Sequence, residues 1–247
     1  MAVQIAARDI KVRYRQTALG ASWALLQPVA TMIVFSIFFG RVAHISSDGV
    51  PYWLFSLTGL VPWTFFSSAL SLGSDSVVRS ASLVSKIYFP RIFIPFGILV
   101  AGLLDLGIAL VLLLVCVFGD GVAPSPSLLL IPVLVAIMVA ASLGITSALS
   151  AVNVRYRDVR YALPFAVQLW LFATPIAYPA SLIHEPWRTL LAINPMAGVV
   201  EGFRWAVLGS GPSPWSMIAA STVSSLVLLA LGLAYFGHAE REFADIV

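Results

Sequence analysis

The sequence predicts an all-α integral membrane protein with six transmembrane helices. Of its 247 residues, 60% are apolar and only 10% are charged, whereas soluble domains carry about 25% charged residues. Mean hydropathy is +0.97. The charges are bunched between uncharged runs at 16–40, 49–74, 121–154, 161–184 and 205–239, and the run 92–119 is broken only by Asp105. Each run accommodates a span of about 20 residues. The strands of a membrane barrel would instead give alternating segments of about 10 residues, and these runs are continuous.

The elements follow in order, as one transmembrane domain over 1–247. In residues 2–20, Val3, Ala6 or Ala7, Ile10 and Tyr14 recur at helical spacing, while Arg8, Lys11 and Arg15 share another face and Arg13 adds a fourth cation. That pattern describes an amphipathic helix lying along the membrane surface, where each cation gains about 1 kcal/mol against anionic lipid. The first span, 22–41, is too long for the apolar core of a signal peptide and no small-residue cleavage site follows it, so it is read as a retained helix. The remaining spans are placed at 54–73, 92–118, 128–150, 163–179 and 215–236. With these boundaries, eleven Lys and Arg residues fall on one side and only Arg41, Arg188 and Arg204 on the other. The bias predicts that both termini of this multi-pass protein are cytoplasmic. The net charge of +3 then reflects topology and gives no sign of a nucleic-acid partner.

Two connecting segments are too long to be plain turns. The segment 74–91 reads as a short inner-face helix over 75–86, with Ser74 or Asp75 as its cap, Lys86 near its end and Pro90 as its stop. Val77, Ala81 and Val84 make one stripe; Arg79, Ser82 and Lys86 make another. An ordered helix where a few residues would suffice points to a docking element or to an interfacial helix touching lipid. On the outer side, Asn194 followed by Pro195 marks a helix start, and the Gly209 region marks its stop. The resulting helix, 195–208, reaches only about 21 Å, too short to cross the bilayer. Its apolar stripe is Met196, Val199, Val200, Phe203 and Val207, with Glu201 and Arg204 paired on the other face. Together with the stretch around Pro186 and Trp187 it predicts a helical hairpin half-sunk in the outer leaflet, a candidate cap or gate.

Catalytic signatures are missing. There is no G-x-S-x-G, no H-E-x-x-H, and no second intramembrane acid to partner Asp105. His44, His184 and His238 all lie outside the predicted spans, so no proton relay or metal site is legible. Neither Lys11 nor Lys86 sits in a phosphate-binding G-x-x-x-x-G-K-[ST] loop, which leaves any ATP chemistry to another polypeptide. Asp105, near the middle of the third span, is expected to face the bundle interior or a wet cavity. The lone Cys116 reads as a small buried hydrophobe. Trp63, Phe66, Trp170 and Phe172 are candidates to line a pathway, or simple packing; Trp23, Trp53, Trp187, Trp205 and Trp215 lie near span ends, where interfacial anchors belong.

Four blocks, RYRQTALGASWALLQP, LVSKIYFPR, VRYRDVRYALPFAVQLWLFATPIAYP and INPMAGVVEGFRW, resemble the membrane subunits of type-two ABC exporters, in the branch that exports polysaccharides and polyol-phosphate polymers such as O-antigen and teichoic acid. The similarity covers nearly the whole chain in the family's order and spacing. It implies a homodimer of six-helix subunits above two copies of a nucleotide-binding ATPase subunit, which would hold ATP and Mg while this chain binds no cofactor. It further implies that the N-terminal helix is an interface helix and the 75–86 helix a coupling helix, making Arg8, Lys11, Arg13, Arg15, Arg79, Leu83, Val84 and Lys86 candidate ATPase-interface residues. Residues 182–208 match the family's outer re-entrant helices, with Asn194, Pro195, Glu201 and Arg204 as candidate outer-gate residues. The implied cargo is a lipid-linked glycan passing along the dimer interface beside Trp63, Phe66, Asp105, Trp170 and Phe172. A drug or small-lipid exporter of the same fold and a secondary carrier remain the alternatives, with an intramembrane enzyme third.

Overall fold

The computed structural model describes residues 22–80, 89–184, 186–209 and 211–240. Among them the regular structure is entirely helical. Helix α1, Ser22–Phe35, runs on into a π-helical segment, Ser36–Val42. Then come α2, Tyr52–Ser74; α3, Ser76–Arg79; α4, Phe93–Gly119; and α5, Ile131–Arg155, which a 3-10 turn at Pro126–Leu130 introduces. The chain ends in α6, Val159–Phe172; α7, Trp187–Ile193; α8, Pro195–Leu208; and α9, Trp215–Ala239.

Five stretches are long and apolar enough to cross a membrane: Leu25–Val42, Tyr52–Ser74, Phe93–Gly119, Pro126–Arg155 and Trp215–Ala239. They coincide closely with five of the six predicted spans. The exception is the span expected at 163–179. There α6 begins earlier, at Val159, and stops at Phe172 after 14 residues, a reach of about 21 Å. Pro175 lacks a backbone N–H and disfavours the helical region at Thr174, so the chain leaves the helix and turns through 173–178.

The inner-face helix also differs from its prediction. Among the described residues it is one turn, Ser76–Arg79, closed by Ser80. Neither Ser74 nor Asp75 caps it with its side chain, because both are engaged elsewhere. Leu83, Val84 and Lys86, together with the whole segment 2–20 carrying Arg8, Lys11, Arg13 and Arg15, lie outside the described residues.

Helix α2 is the hub. Of its apolar stretch, 78% is buried, against 28% for those of α4 and α9. It is wrapped by α1, α4, α5 and α8, and Leu54, Leu57, Leu60, Phe66 and Leu70 on it are essentially inaccessible. Pro62 is accommodated inside this helix, as neighbouring helices allow within a bundle. The outer helices α4 and α9 turn Val111, Val115, Val223 and Leu231 outward. Such exposure is unfavourable in water, but acyl chains are as apolar as these side chains, so lipid solvates that face at no cost.

Because lipid supplies no hydrophobic drive between helices, close backbone approach must hold the bundle together. It is tightest where α5 meets α9. A Cβ added to Gly232 would sit 2.0 Å from the Gly144 carbonyl oxygen, and one added to Gly144 would sit 2.4 Å from that of Leu228. A second crossing places α8 on α9, where a Cβ on Gly198 would meet the Met217 carbonyl oxygen at 2.3 Å.

Candidate functional site

Polar side chains gather at the two ends of the bundle. At the end predicted to be cytoplasmic, the centre is Asp75, which follows the last residue of α2 and is 4% exposed. Its Oδ2 accepts from Arg79 Nε at 2.5 Å, one helical turn on. Its Oδ1 accepts from Arg160 Nη2 at 2.7 Å and Nε at 3.3 Å, and from Asn153 Nδ2 at 3.3 Å. Asn153 also donates to the Ser74 carbonyl at 3.1 Å. One carboxylate therefore ties together the end of α2, the turn of α3, the end of α5 and the start of α6. Burial by itself would raise the Asp75 pKa, but the hydrogen bonds from Arg160 and Arg79 outweigh it and hold the carboxyl below the usual range.

The far side of the 81–88 segment is anchored as well. Arg91 donates its backbone N–H to Glu240 Oε1 at 2.9 Å and its side-chain Nη1 to the Glu240 carbonyl, just after α9. The chain into and out of that segment is thus fixed to three different helices. Val77 adds an apolar foot, buried with Ala151, Val154 and Phe236.

At the opposite end, α8 carries the polar cluster. Its start is as predicted: Asn194 is the cap, accepting from Met196 N–H at 3.0 Å, and Pro195 is the first helical residue. Gly209 closes it in the left-handed conformation, φ 63°. Asn194 also joins helices. Its Oδ1 accepts from Trp170 Nε1 at 3.1 Å, and its Nδ2 donates to the Ala173 carbonyl at 3.2 Å and Thr174 Oγ1 at 2.9 Å. Its carbonyl accepts from Ser221 Oγ of α9 at 3.0 Å.

The face carrying Glu201 and Arg204, which the sequence marks only as the polar side of this helix, is turned into the protein: the Glu201 side chain is 15% exposed. Arg204 is 3% exposed and bonds to Glu201 Oε1 at 2.8 Å and the Ile176 carbonyl at 2.7 Å. Glu201 in turn accepts from the Ala180 N–H at 3.1 Å. The pair replaces lost backbone partners in the irregular stretch after α6, which is why charge is tolerated there. The opposite stripe, Met196, Val199, Val200, Phe203 and Val207, is buried too, so α8 is enclosed on both faces.

The candidate pathway residues separate. Trp63, Phe66 and Trp170 form one aromatic stack, with ring centres 5.5 Å apart for the first pair and 5.2 Å for the second. Trp63 and Phe66 are closed inside the core, because α2 is the central helix, and Trp170 is half-buried. Phe172 is exposed at the end of α6 and does not join the stack. Asp105 lies half-buried on α4, away from both polar ends. Of the span-end tryptophans, Trp23, Trp187 and Trp215 are exposed, and Trp205 packs edge-on against Trp215 at 5.6 Å.

The Asp75 node was missed in the sequence, where Arg160 counted only as one of the eleven cations on one side and Asp75 only as a cap. A carboxylate at a span end beside a run of cations was the available signal. Its partner, however, lies 85 positions away, and a single sequence does not pair residues at that range.

The helical bundle, its apolar exterior and its polar ends define a multi-pass membrane protein. Residues 2–208 match the ABC-2 type transporter family, and the chain belongs to that family. It is 31% identical over 247 residues to the O-antigen export system permease protein RfbA of Myxococcus xanthus, covering 99% of this chain and 94% of that one. The Klebsiella pneumoniae protein of the same name is 27% identical over 246 residues, with 99% and 94% covered. The polysialic acid transport protein KpsM of Escherichia coli is 24% identical over 235 residues, with 95% and 91% covered.

Proposed function

We propose that this chain is the permease subunit of an ATP-driven transporter that exports a lipid-linked polysaccharide across the cytoplasmic membrane. The observation that carries this reading is full-length similarity, 31% over 99% of the chain, to a protein named as an O-antigen export permease. In this reading the chain works as a homodimer, with both termini cytoplasmic, and two copies of a separate ATPase subunit supply ATP and Mg chemistry. Six crossings result if α6 and the turns after it, up to 179, make the fifth passage, and α7 with α8 form the re-entrant outer pair at 182–208.

The working parts follow from chemistry. Arg8, Lys11, Arg13 and Arg15 with Arg79, Leu83, Val84 and Lys86 form the docking face for the ATPase. ATP binding closes the partner subunits beneath the 75–86 segment, and the ties of Asp75 to α5 and α6 and of Arg91 to α9 deliver that displacement to the spans. Asn194, Pro195, Glu201 and Arg204 hold the outer helices closed between cycles. Trp170, Phe172 and Asp105 offer stacking and hydrogen bonding to passing sugars, while the enclosed Trp63 and Phe66 back the wall.

The test is co-purification with the cognate nucleotide-binding ATPase subunit. Arg79→Glu with Lys86→Glu is expected to lose most of the bound ATPase at unchanged membrane insertion. Undiminished co-purification removes this docking face, and nucleotide-independent glycan transport by the purified chain in vesicles removes the whole reading.

A further inference from the structure

Beside Asp75 the inner end of the bundle opens into a cleft of about 320 Å³, with Ser71, Arg79, Arg160, Leu163 and Pro164 among its walls. Its chemistry is uneven. Two guanidinium groups face one carboxylate, so the cleft keeps an excess positive charge after the ion pairs are made. The arginine side chains remain 61% and 56% exposed, whereas that of Asp75 is 6% exposed. The acid is therefore the buried anchor, and the cations are presented outward.

The hydrogen bonds show how much donor capacity is left. Arg79 commits only Nε to Asp75, and Arg160 commits Nε and one Nη2 hydrogen. Each guanidinium has five N–H donors in a fixed fork. Among the described contacts, both Nη groups of Arg79 and the Nη1 group of Arg160 are therefore free to donate. Asp75 fixes both forks in place, so little side-chain entropy remains to be lost when they close on an anion. Ser71 adds a hydroxyl from α2, and the start of α6 adds the positive end of a helix dipole. On the α6 side the wall turns apolar with Leu163 and Pro164, and Tyr161 and Phe165 of the same helix are exposed.

We propose that this cleft binds the phosphate or diphosphate of a lipid headgroup, with the lipid's chain lying against the outer face of α6. Planar forks matched to phosphate oxygens, one polar wall and one apolar wall leading into the membrane suit a molecule that is anionic at one end and hydrocarbon at the other. The proposal rests on the transport reading only in naming the ligand: a lipid-linked substrate and an ordinary anionic phospholipid share this chemistry. Arg160 carries the test, because Arg79 is also a proposed docking residue.

The full chain in phosphatidylcholine nanodiscs, without nucleotide or ATPase, is titrated with farnesyl diphosphate and with farnesol. The diphosphate is expected to bind saturably and farnesol not to bind. Arg160→Gln should weaken the diphosphate about tenfold, the loss of one charge-assisted contact. Arg160→Lys, which keeps the cation opposite Asp75 and so guards against misfolding, should weaken it less. Nanodiscs containing phosphatidylglycerol separate the two sources. Displacement of the diphosphate keeps the cleft and assigns it to bulk phospholipid; persistent binding assigns it to a phosphorylated substrate. Wild-type affinity in both Arg160 variants, or equal binding of farnesol, overturns the proposal and leaves the transport reading standing. Failure of ATPase co-purification sinks the transport reading and leaves the cleft.

Discussion

Arg204 lies with its guanidinium carbon 3.6 Å from the centre of the Phe55 ring while its Nη1 holds Glu201 at 2.8 Å. The cation is thus sandwiched between an aromatic face on α2 and a carboxylate on its own helix. Removing one member of a buried pair strands the other, at about 3–5 kcal/mol. Glu201→Ala is expected to lower the thermal unfolding midpoint of the detergent-solubilised protein more than Glu201→Gln, which keeps an oxygen acceptor for Arg204. Midpoints in both variants equal to that of wild type would show that the ion pair contributes nothing.

Asn194 gives a sharper chemical dissection, because its oxygen and its nitrogen serve different partners. Asn194→Asp keeps the acceptor for Trp170 and Met196 but loses the donor to Ala173 and Thr174. Asn194→Ala loses both and leaves the half-buried Trp170 indole N–H without its acceptor. Costs of about 1 kcal/mol for the cap and a further 1–3 kcal/mol for the stranded groups follow. Denaturation should rank wild type above Asp, and Asp above Ala. Near-UV dichroism should register the released Trp170.

Glycine-to-alanine changes separate packing from propensity on a single helix. At Gly237 nothing lies within 4 Å of an added Cβ, so alanine there should stabilise α9 by up to about 1 kcal/mol. At Gly232 the same change drives a methyl into the Gly144 backbone, and overpacking of about 1–3 kcal/mol or more reverses the sign. Thermal unfolding of the two variants should move in opposite directions.

The Asp75 node predicts a specific acid sensitivity. Its carboxyl is held below the ordinary value, near 3.9 in an unfolded chain, chiefly because the Arg160 and Arg79 hydrogen bonds outweigh burial. A group depressed in the folded state contributes stability above its unfolded pKa and loses that contribution as pH falls through the folded one. Above about pH 5 the node is therefore insensitive to pH. Below about pH 4 wild type should lose stability faster than Asp75→Asn, which has no such proton to bind. Parallel acid unfolding curves would rule the linkage out.

Much of the bundle was legible because span length and charge placement are properties of contiguous sequence. Five long helices fall within a few residues of their predicted bounds. Asn194, Pro195 and Gly209 mark the limits of α8, since capping chemistry is local. The 163–179 segment is not one continuous helix, because hydropathy does not register the break that Thr174 and Pro175 introduce after Phe172. Glu201 and Arg204 were read as a polar face because helical periodicity reports sidedness and not what packs against each side.

The amino-acid sequence by itself determined that the chain lives in a membrane, where its long helices run and which end of the bundle collects the cations. These are sums over neighbouring residues, and the bilayer reads them directly as length and charge. Only the tertiary structure decided that α2 is enclosed, that Arg204 is buried, and that Asp75 joins Arg79 to Arg160. Each of those depends on groups brought within about 3 Å by helices distant in the chain. That placement is set by how glycine-lined helices such as α5 and α9 close on one another, and no local pattern encodes it.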